Sequence, residues 1–231
     1  DRLVRNERVI WAACMVACGD ADGAVTGNTR RFGASLEKIK QVVKPRPGEI
    51  MFGLNLVVHK GKTIFVGDTS VHEYPNAEQL SEIAISSARV VRLFGFEPKV
   101  AFVSHSTFGQ PLTSRTKHIK EAVEILKKKN VNFEFDGDMQ PDVALNDEYK
   151  SLYPFSKIVG NANVLIMPGQ HSAAISYKMM KTLGDIKVIG PLLVGLGLPI
   201  EIAPLRTSTS ELINLASIAA YSADVIDYRK N

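Results

Sequence analysis

Cysteine is nearly absent. The sequence holds two, Cys14 and Cys18, four apart on a stretch that reads as a helix, with no other cysteine or histidine near them. That spacing argues against a zinc site. The pair reads as small core residues in a reducing compartment, which places the protein in the cytoplasm. Long apolar runs are missing too. The longest candidate, "VIGPLLVGLGLPI", is too short and too rich in Gly and Pro to span a bilayer. No signal-peptide or lipidation pattern is present, so no membrane partner is expected. The five histidines are isolated, and none has the i, i+4 spacing of a zincin helix. No nucleophile-elbow sequence occurs; Ser106 and Thr107 sit in a small-residue loop without an obvious base. There is no internal repeat and no low-complexity segment. Aromatic residues do not interleave with the cations, which are scattered although the net charge is +4. "KKK" at Lys127 to Lys129 reads as a helix end complementing its own dipole. A nucleic-acid partner is therefore not expected, and an anionic small ligand fits the charge as well.

What remains is an ordinary globular composition, 45% hydrophobic and 23% charged over 231 residues, enough for one large core or two smaller ones. The chain opens "DRLVRNERVIWAACMVACG" without an initiator Met, directly in a helical pattern, with Val4, Val9, Ala12, Ala13, Val16 and Ala17 able to share a side. We read it as a piece cut from a longer polypeptide. "DADGAVTGNTRR" then gives a short strand and a loop, and "SLEKIKQVVKPRPG" a short helix starting near Ser35. "MFGLNLVVHKGKTIFVGDT" pairs as a hairpin around Lys60-Gly61-Lys62. A long helix follows, with Asn76 and Gln79 as a capping-box pair and Gly95 at its end. From there strands ("KVAFVSH", "NFEFDG", "ANVLIMPG", "KVIGPLLVG") alternate with helices up to "SELINLASIAAYSADVI". Such alternation predicts an α/β fold with a mostly parallel sheet, whose ligands sit beyond the carboxyl ends of the strands.

The loops expected at those ends carry the candidate chemistry. "TGNTRR" puts Arg30 and Arg31 after small residues and before a helix, a setting that suits a phosphate or a solvated basic loop. Asp136, Asp138 and Asp142 in "DGDMQPD" suit either a Mg²⁺ or acid/base site or, more simply, a turn. His105 and His171 fall at strand ends, where a structural hydrogen-bonding role competes with catalysis. The stripe of Ile175, Met179 and Met180 reads as core, as does that of the closing helix.

Six strings in order, "GDADGAVTG", "FVGDTSVHEYPNAEQLSEIA", "FGFEPKVAFVSHSTFG", "DGDMQPDVAL", "GNANVLIMPGQHSAAISYK" and "IGPLLVGLGLPI", resemble the phosphate acetyl/butyryl transferase family over nearly the whole chain. "RRFG" and "VSHSTFG" look closest to the transferase-like C-terminal domain of NADP-dependent malic enzymes. The resemblance implies two α/β subdomains with mostly parallel sheets and a cleft, similar to the isocitrate dehydrogenase-like fold. Residues 1–48 and 191–231 would form the first subdomain, its N-terminal part missing, and residues 49–190 the second.

The same resemblance implies how activity would be carried, and where this chain departs. Active members bind CoA and acetyl phosphate; a carboxylate takes the thiol proton, arginines hold phosphate and a serine stabilises the transition state. Their Asn-Asp-Leu-Ser-Arg-Gly falls here on Glu201, Ile202, Ala203, Pro204, Leu205 and Arg206, so serine and arginine become Pro204 and Leu205. Their Asp-Thr-Leu-Arg falls on Ala34, Ser35, Leu36 and Glu37, an anion where a cation held phosphate. The carboxylate position survives as Glu211, which with Ser208 is also spaced as a capping box. Arg206 or Arg31 is placed to compensate for a lost arginine. Each lost donor costs roughly 10²–10³ in rate. The expectation is therefore a region without transferase chemistry that supports homo-oligomerisation, as a homodimer or larger, and senses acetyl-CoA. The candidate contacts are Asn28, Thr29, Arg30, Arg31, Phe32 and Arg206. NADP and a divalent metal would belong to an upstream malic enzyme domain, with no cofactor or metal in this piece. An active phosphate acetyltransferase and a purely structural dimerisation domain are the alternatives.

Overall fold

The computed structural model describes residues 2–110 and 113–226. Its contacts divide the chain into two compact units. The first ends at Gly53 and resumes at Ile189; the second runs from Leu54 to Val188.

In the first unit, α1 (Arg2–Asn6) and α2 (Arg8–Cys18) lead into β1 (Ala24–Gly27) and α3 (Phe32–Ile39). The returning chain adds most of β7 (Lys187–Val194), then β8 (Ile200–Ala203) and α9 (Thr209–Val225). β1 and β8 pair in parallel, from Ala24 opposite Ile200 to Gly27 opposite Ala203. Helix α2 buries Val9, Ile10, Ala13 and Val16, whose spacing of three and four makes one apolar stripe. Cys18 does not join that stripe. It is exposed and Cys14 only partly covered, so the expectation of two core cysteines is corrected. Helix α3 begins at Phe32, three residues earlier than Ser35. The extended Arg31 is its N-cap, so the basic loop ends where the helix starts. Leu36 and Ile39 point from α3 into the core, joined by Leu215 and Ala219 of α9.

The second unit is built on a sheet ordered β5-β4-β6-β3-β2. The β2 (Phe52–His59) and β3 (Lys62–Gly67) strands form the expected hairpin. Lys60 and Gly61 turn it with φ of 46° and 77°, the left-handed pair that a two-residue hairpin requires. β3, β6 (Val164–Ile166), β4 (Lys99–Val103) and β5 (Glu134–Met139) are parallel neighbours. Helix α4 (Ala77–Leu93) is closed at its start by the Asn76 and Gln79 capping box. Helix α5 (Ser114–Lys129) carries Lys127, Lys128 and Lys129 in its last turn, where cations offset the helix dipole. Short helices α6 (Pro141–Leu145) and α7 (Asp147–Lys150) follow β5, and α8 (Gln170–Leu183) follows β6. One core cluster joins Val57, Val66, Ala101, Val103, Met139 and Leu165; Phe65 packs its ring at 5.8 Å from that of Phe94.

Two expectations fail here. "DGDMQPD" is not a turn: Asp136 and Asp138 lie within β5, and Asp138 is fully buried. The α8 stripe is not core either. Ile175, Met179 and Leu183 are 62%, 55% and 81% exposed, while Met180 packs against the cluster. On α9, Ile213 and Tyr221 are exposed. Among the described residues no helix is long and apolar enough to cross a membrane.

Gly27 fixes how closely β1 and β8 end. Its φ is +102°, and a Cβ there would lie 2.3 Å from the Ala203 carbonyl oxygen. Gly27→Ala is expected to cost about 2–4 kcal/mol in urea unfolding, from strain and contact together. Gly33→Ala, with open space around it in α3, is expected to stabilise by about 0.5–1 kcal/mol.

Candidate functional site

The carboxyl ends of β1 and β8 bring two of the candidate loops into backbone contact. Asn28 adopts φ 61° and works in three directions. Its N–H donates to the Ala203 carbonyl at 2.9 Å. Its carbonyl accepts from the Arg206 N–H at 3.3 Å. Its side-chain Oδ1 accepts from the Thr207 N–H at 3.0 Å. Asparagine tolerates this left-handed conformation better than most residues because its short amide bonds locally. The Thr29 N–H closes the turn on the Gly27 carbonyl at 2.8 Å. Asn28, Thr29 and Arg30 line a cavity of about 810 Å³ beside the two strand ends. Arg31, Phe32 and Arg206 lie outside that lining. Arg30 is ion-paired with Glu7 at 2.9 Å. The structure thus joins Asn28 to Arg206 through the backbone and puts Asn28 to Arg30 on one wall.

The positions that the resemblance marks for transfer chemistry carry these groups. Pro204 has neither hydroxyl nor N–H, and its carbonyl accepts from Thr207 Oγ1 at 2.6 Å. Leu205 is half exposed. Glu37 is exposed and pairs with Lys40 at 3.0 Å. Glu211 caps α9: its Oε2 accepts from the Ser208 N–H and Oγ, both at 2.8 Å, while its own N–H donates to Ser208 Oγ. The capping reading of Glu211 is realised in full.

The first three motif residues, Glu201 to Ala203, lie within β8. Glu201 lies in β8 between Ile200 and Ile202, almost fully buried, and accepts from the Leu193 N–H at 2.9 Å. Desolvation by burial pushes its carboxyl up to about 8, against the smaller downward pull of that hydrogen bond. A single acid alternating with apolar residues in "PIEIA" is the sequence signal for this short strand.

The second unit holds its own candidate site. Its cavity, about 510 Å³, opens beyond β4 and β6 and is lined by His105, His118 and His171, with Ser104, Thr116 and Glu73. His171 Nε2 lies 3.5 Å from Glu73. The loop that supplies Glu73 is held by buried Asp68, which accepts from the N–H groups of Ser70, Val71 and His72 at 2.8, 3.1 and 2.6 Å. Ser106, read as lacking a base, donates its hydroxyl to Asp138. Both are completely buried, so the pair straps the loop after β4 to β5 and is closed to substrate. Asp136 accepts from the Lys157 N–H at 2.7 Å, and Asp142 from the Val143 N–H at 2.9 Å. Among the described residues no three acidic, histidine or cysteine side chains converge as metal ligands.

Comparison with known proteins matches this architecture. Residues 1–220 fit the family model described as phosphate acetyl/butaryl transferase. The chain is 46% identical over 222 residues to the NADP-dependent malic enzyme of Rhizobium meliloti, covering 96% of this chain and 29% of that protein. It is 30% identical over 210 residues to the phosphate acetyltransferase of Buchnera aphidicola, 90% of this chain and 30% of that protein. A phosphotransacetylase from Streptococcus pyogenes has a matching fold, TM-score 0.86 at 29% identity, over 93% of this chain and 67% of the other. The chain therefore spans about three tenths of the length of these curated relatives.

Glu201 makes stability fall as pH rises. Below about 4.5 the carboxyl is protonated whether folded or not. Between there and about 8 only the folded chain keeps the proton; above that range folding buries a charge. Glu201→Gln is expected to remove this slope and to be the more stable form at pH 9, by on the order of a few kcal/mol. Urea midpoints at pH 5, 7 and 9 measure it.

Proposed function

This chain belongs to the phosphate acetyl/butaryl transferase family, and we propose that it is a transferase-like region of an NADP-dependent malic enzyme that binds acetyl-CoA without transferring acetyl groups. The observation that carries the reading is the loop after β8. A transferase needs preorganised donors where negative charge develops. The side chains of Pro204 and Leu205 provide none, and Glu211 is committed to the α9 cap. Glu37 adds an anion where family members bind phosphate. The 46% identity to a malic enzyme supports the parent assignment. In this reading malate oxidation, NADP and the divalent metal belong to the rest of that protein.

Acetyl-CoA binding survives the loss of transfer groups, because it needs cations and an apolar slot. Arg30, Arg31 and Arg206 are the cations on the two joined loops. Regulation of the attached enzyme is then a coupling free energy between two sites, and ligands at the malate site weaken acetyl-CoA in return. The exposed Ile175, Met179 and Leu183 stripe on α8 supports a further role in homo-oligomerisation.

The similarity to phosphate acetyltransferases favours a second reading, active transfer, and one experiment separates the two. Acetyl-CoA is titrated into the full protein by calorimetry, and acetyl phosphate transfer is assayed on the same sample. The expected result is binding without transfer, with Arg206→Ala and Arg31→Ala each weakening binding about tenfold. Transfer at family rates would overturn the reading of Pro204 and Leu205. Absence of binding would leave the structural role.

A further inference from the structure

The cavity at the ends of β1 and β8 holds a side chain that no motif reached. Trp11, the only tryptophan in the sequence, lines it and is 55% exposed. A tryptophan is usually placed where its ring is covered, and the α2 core stripe is complete without it. Arg8 lies three residues earlier on the same helix, is exposed, and lines the same cavity. Residues so spaced share a face. Arg30 lines it from the loop after β1, and its exposed pairing with Glu7 is weak enough to exchange for another anion. The floor is apolar, from Val25, Ala203 and Leu212.

A flat ring, two guanidiniums and an apolar floor are complementary to a flat heteroaromatic ring that carries phosphate. Purines stack on indole faces, and guanidiniums bind phosphate oxygens in a forked geometry. A purely apolar ligand would leave Arg8 unused, and a bare anion would leave Trp11 unused. About 810 Å³ is the size of site that holds a nucleotide-sized ligand. We propose that this cavity seats the adenine nucleotide end of a CoA thioester, with Trp11 stacked on the purine and Arg8 and Arg30 on its phosphates. The proposal rests on the acetyl-CoA reading above and assigns that ligand's nucleotide half to residues the family motifs do not include.

Tryptophan fluorescence of the full protein, minus the signal of the Trp11→Phe variant, tests it. Titrants are acetyl-CoA, ADP and phosphopantetheine. Acetyl-CoA and ADP are expected to quench the Trp11 signal, and phosphopantetheine to leave it unchanged. By calorimetry, Trp11→Ala is expected to weaken acetyl-CoA about tenfold or more. Arg8→Ala should do the same and reduce the salt dependence. Trp11 is exposed, so neither variant disturbs the core. If acetyl-CoA binds with unchanged affinity in both variants, the inference fails and the acetyl-CoA reading stands. If acetyl-CoA does not bind at all, both fail. Quenching by ADP alone would mark a site for free nucleotides and overturn the CoA assignment. A Trp11 signal that follows protein concentration without any titrant would mean a second copy covers the ring, and would also overturn it.

Discussion

The organisation of the first unit depends on the close approach of two parallel strand ends. Gly27 allows the β1 backbone to come against the Ala203 carbonyl, and Asn28 then bonds to both sides of the loop after β8. Three consequences follow from that contact. The polar groups of the two loops are satisfied by one another, so the loops hold a defined shape on the surface. α3 starts immediately after the first loop and α9 immediately after the second, which sets where both helices leave the sheet. The cavity beside the strand ends exists because these backbones stop there together.

On this frame the chain keeps the fold of its transferase family. Glu211 shows what one of its carboxylates does there. One turn into α9, it closes the helix cap with Ser208. Pro204 and Leu205 serve the turn and the surface, and their side chains contribute no donor. Arg30 is engaged with Glu7 and Glu37 with Lys40, exposed pairs worth little in stability. The local charge balance is therefore compatible with a different anion arriving. In the second unit, three histidines share one cavity, although in the sequence they lie 13 and 53 positions apart.

Local rules made much of the fold legible. The Asn76 and Gln79 box, the lysines ending α5 and the Lys60-Gly61 turn are each settled by neighbours within four residues, and each stands where the pattern put it. What escaped was decided by distant partners. β8 is four residues long and exists as a strand because β1 lies beside it. Asp138 looked like a turn residue because Asp and Gly favour turns; its hydroxyl partner, Ser106, lies 32 positions away. The α8 stripe has the periodicity of a buried face, and periodicity alone does not say whether anything covers it. At the candidate site, Asn28 to Arg30 and Arg206 were visible as a basic, small-residue pattern. Trp11 and Arg8 were not, since their relation to that loop is made only by packing α2 beside β1.

Buried Glu201 also changes what folding does to its surroundings. Its carboxyl is neutral when folded at pH 7 and ionised when the chain is open. Folding near neutral pH therefore draws close to one proton from the buffer, and unfolding gives it back. The heat measured for folding then contains the ionisation heat of whichever buffer supplied that proton. Two laboratories using phosphate and Tris would record different enthalpies for the same structural event, with the same free energy at a fixed pH.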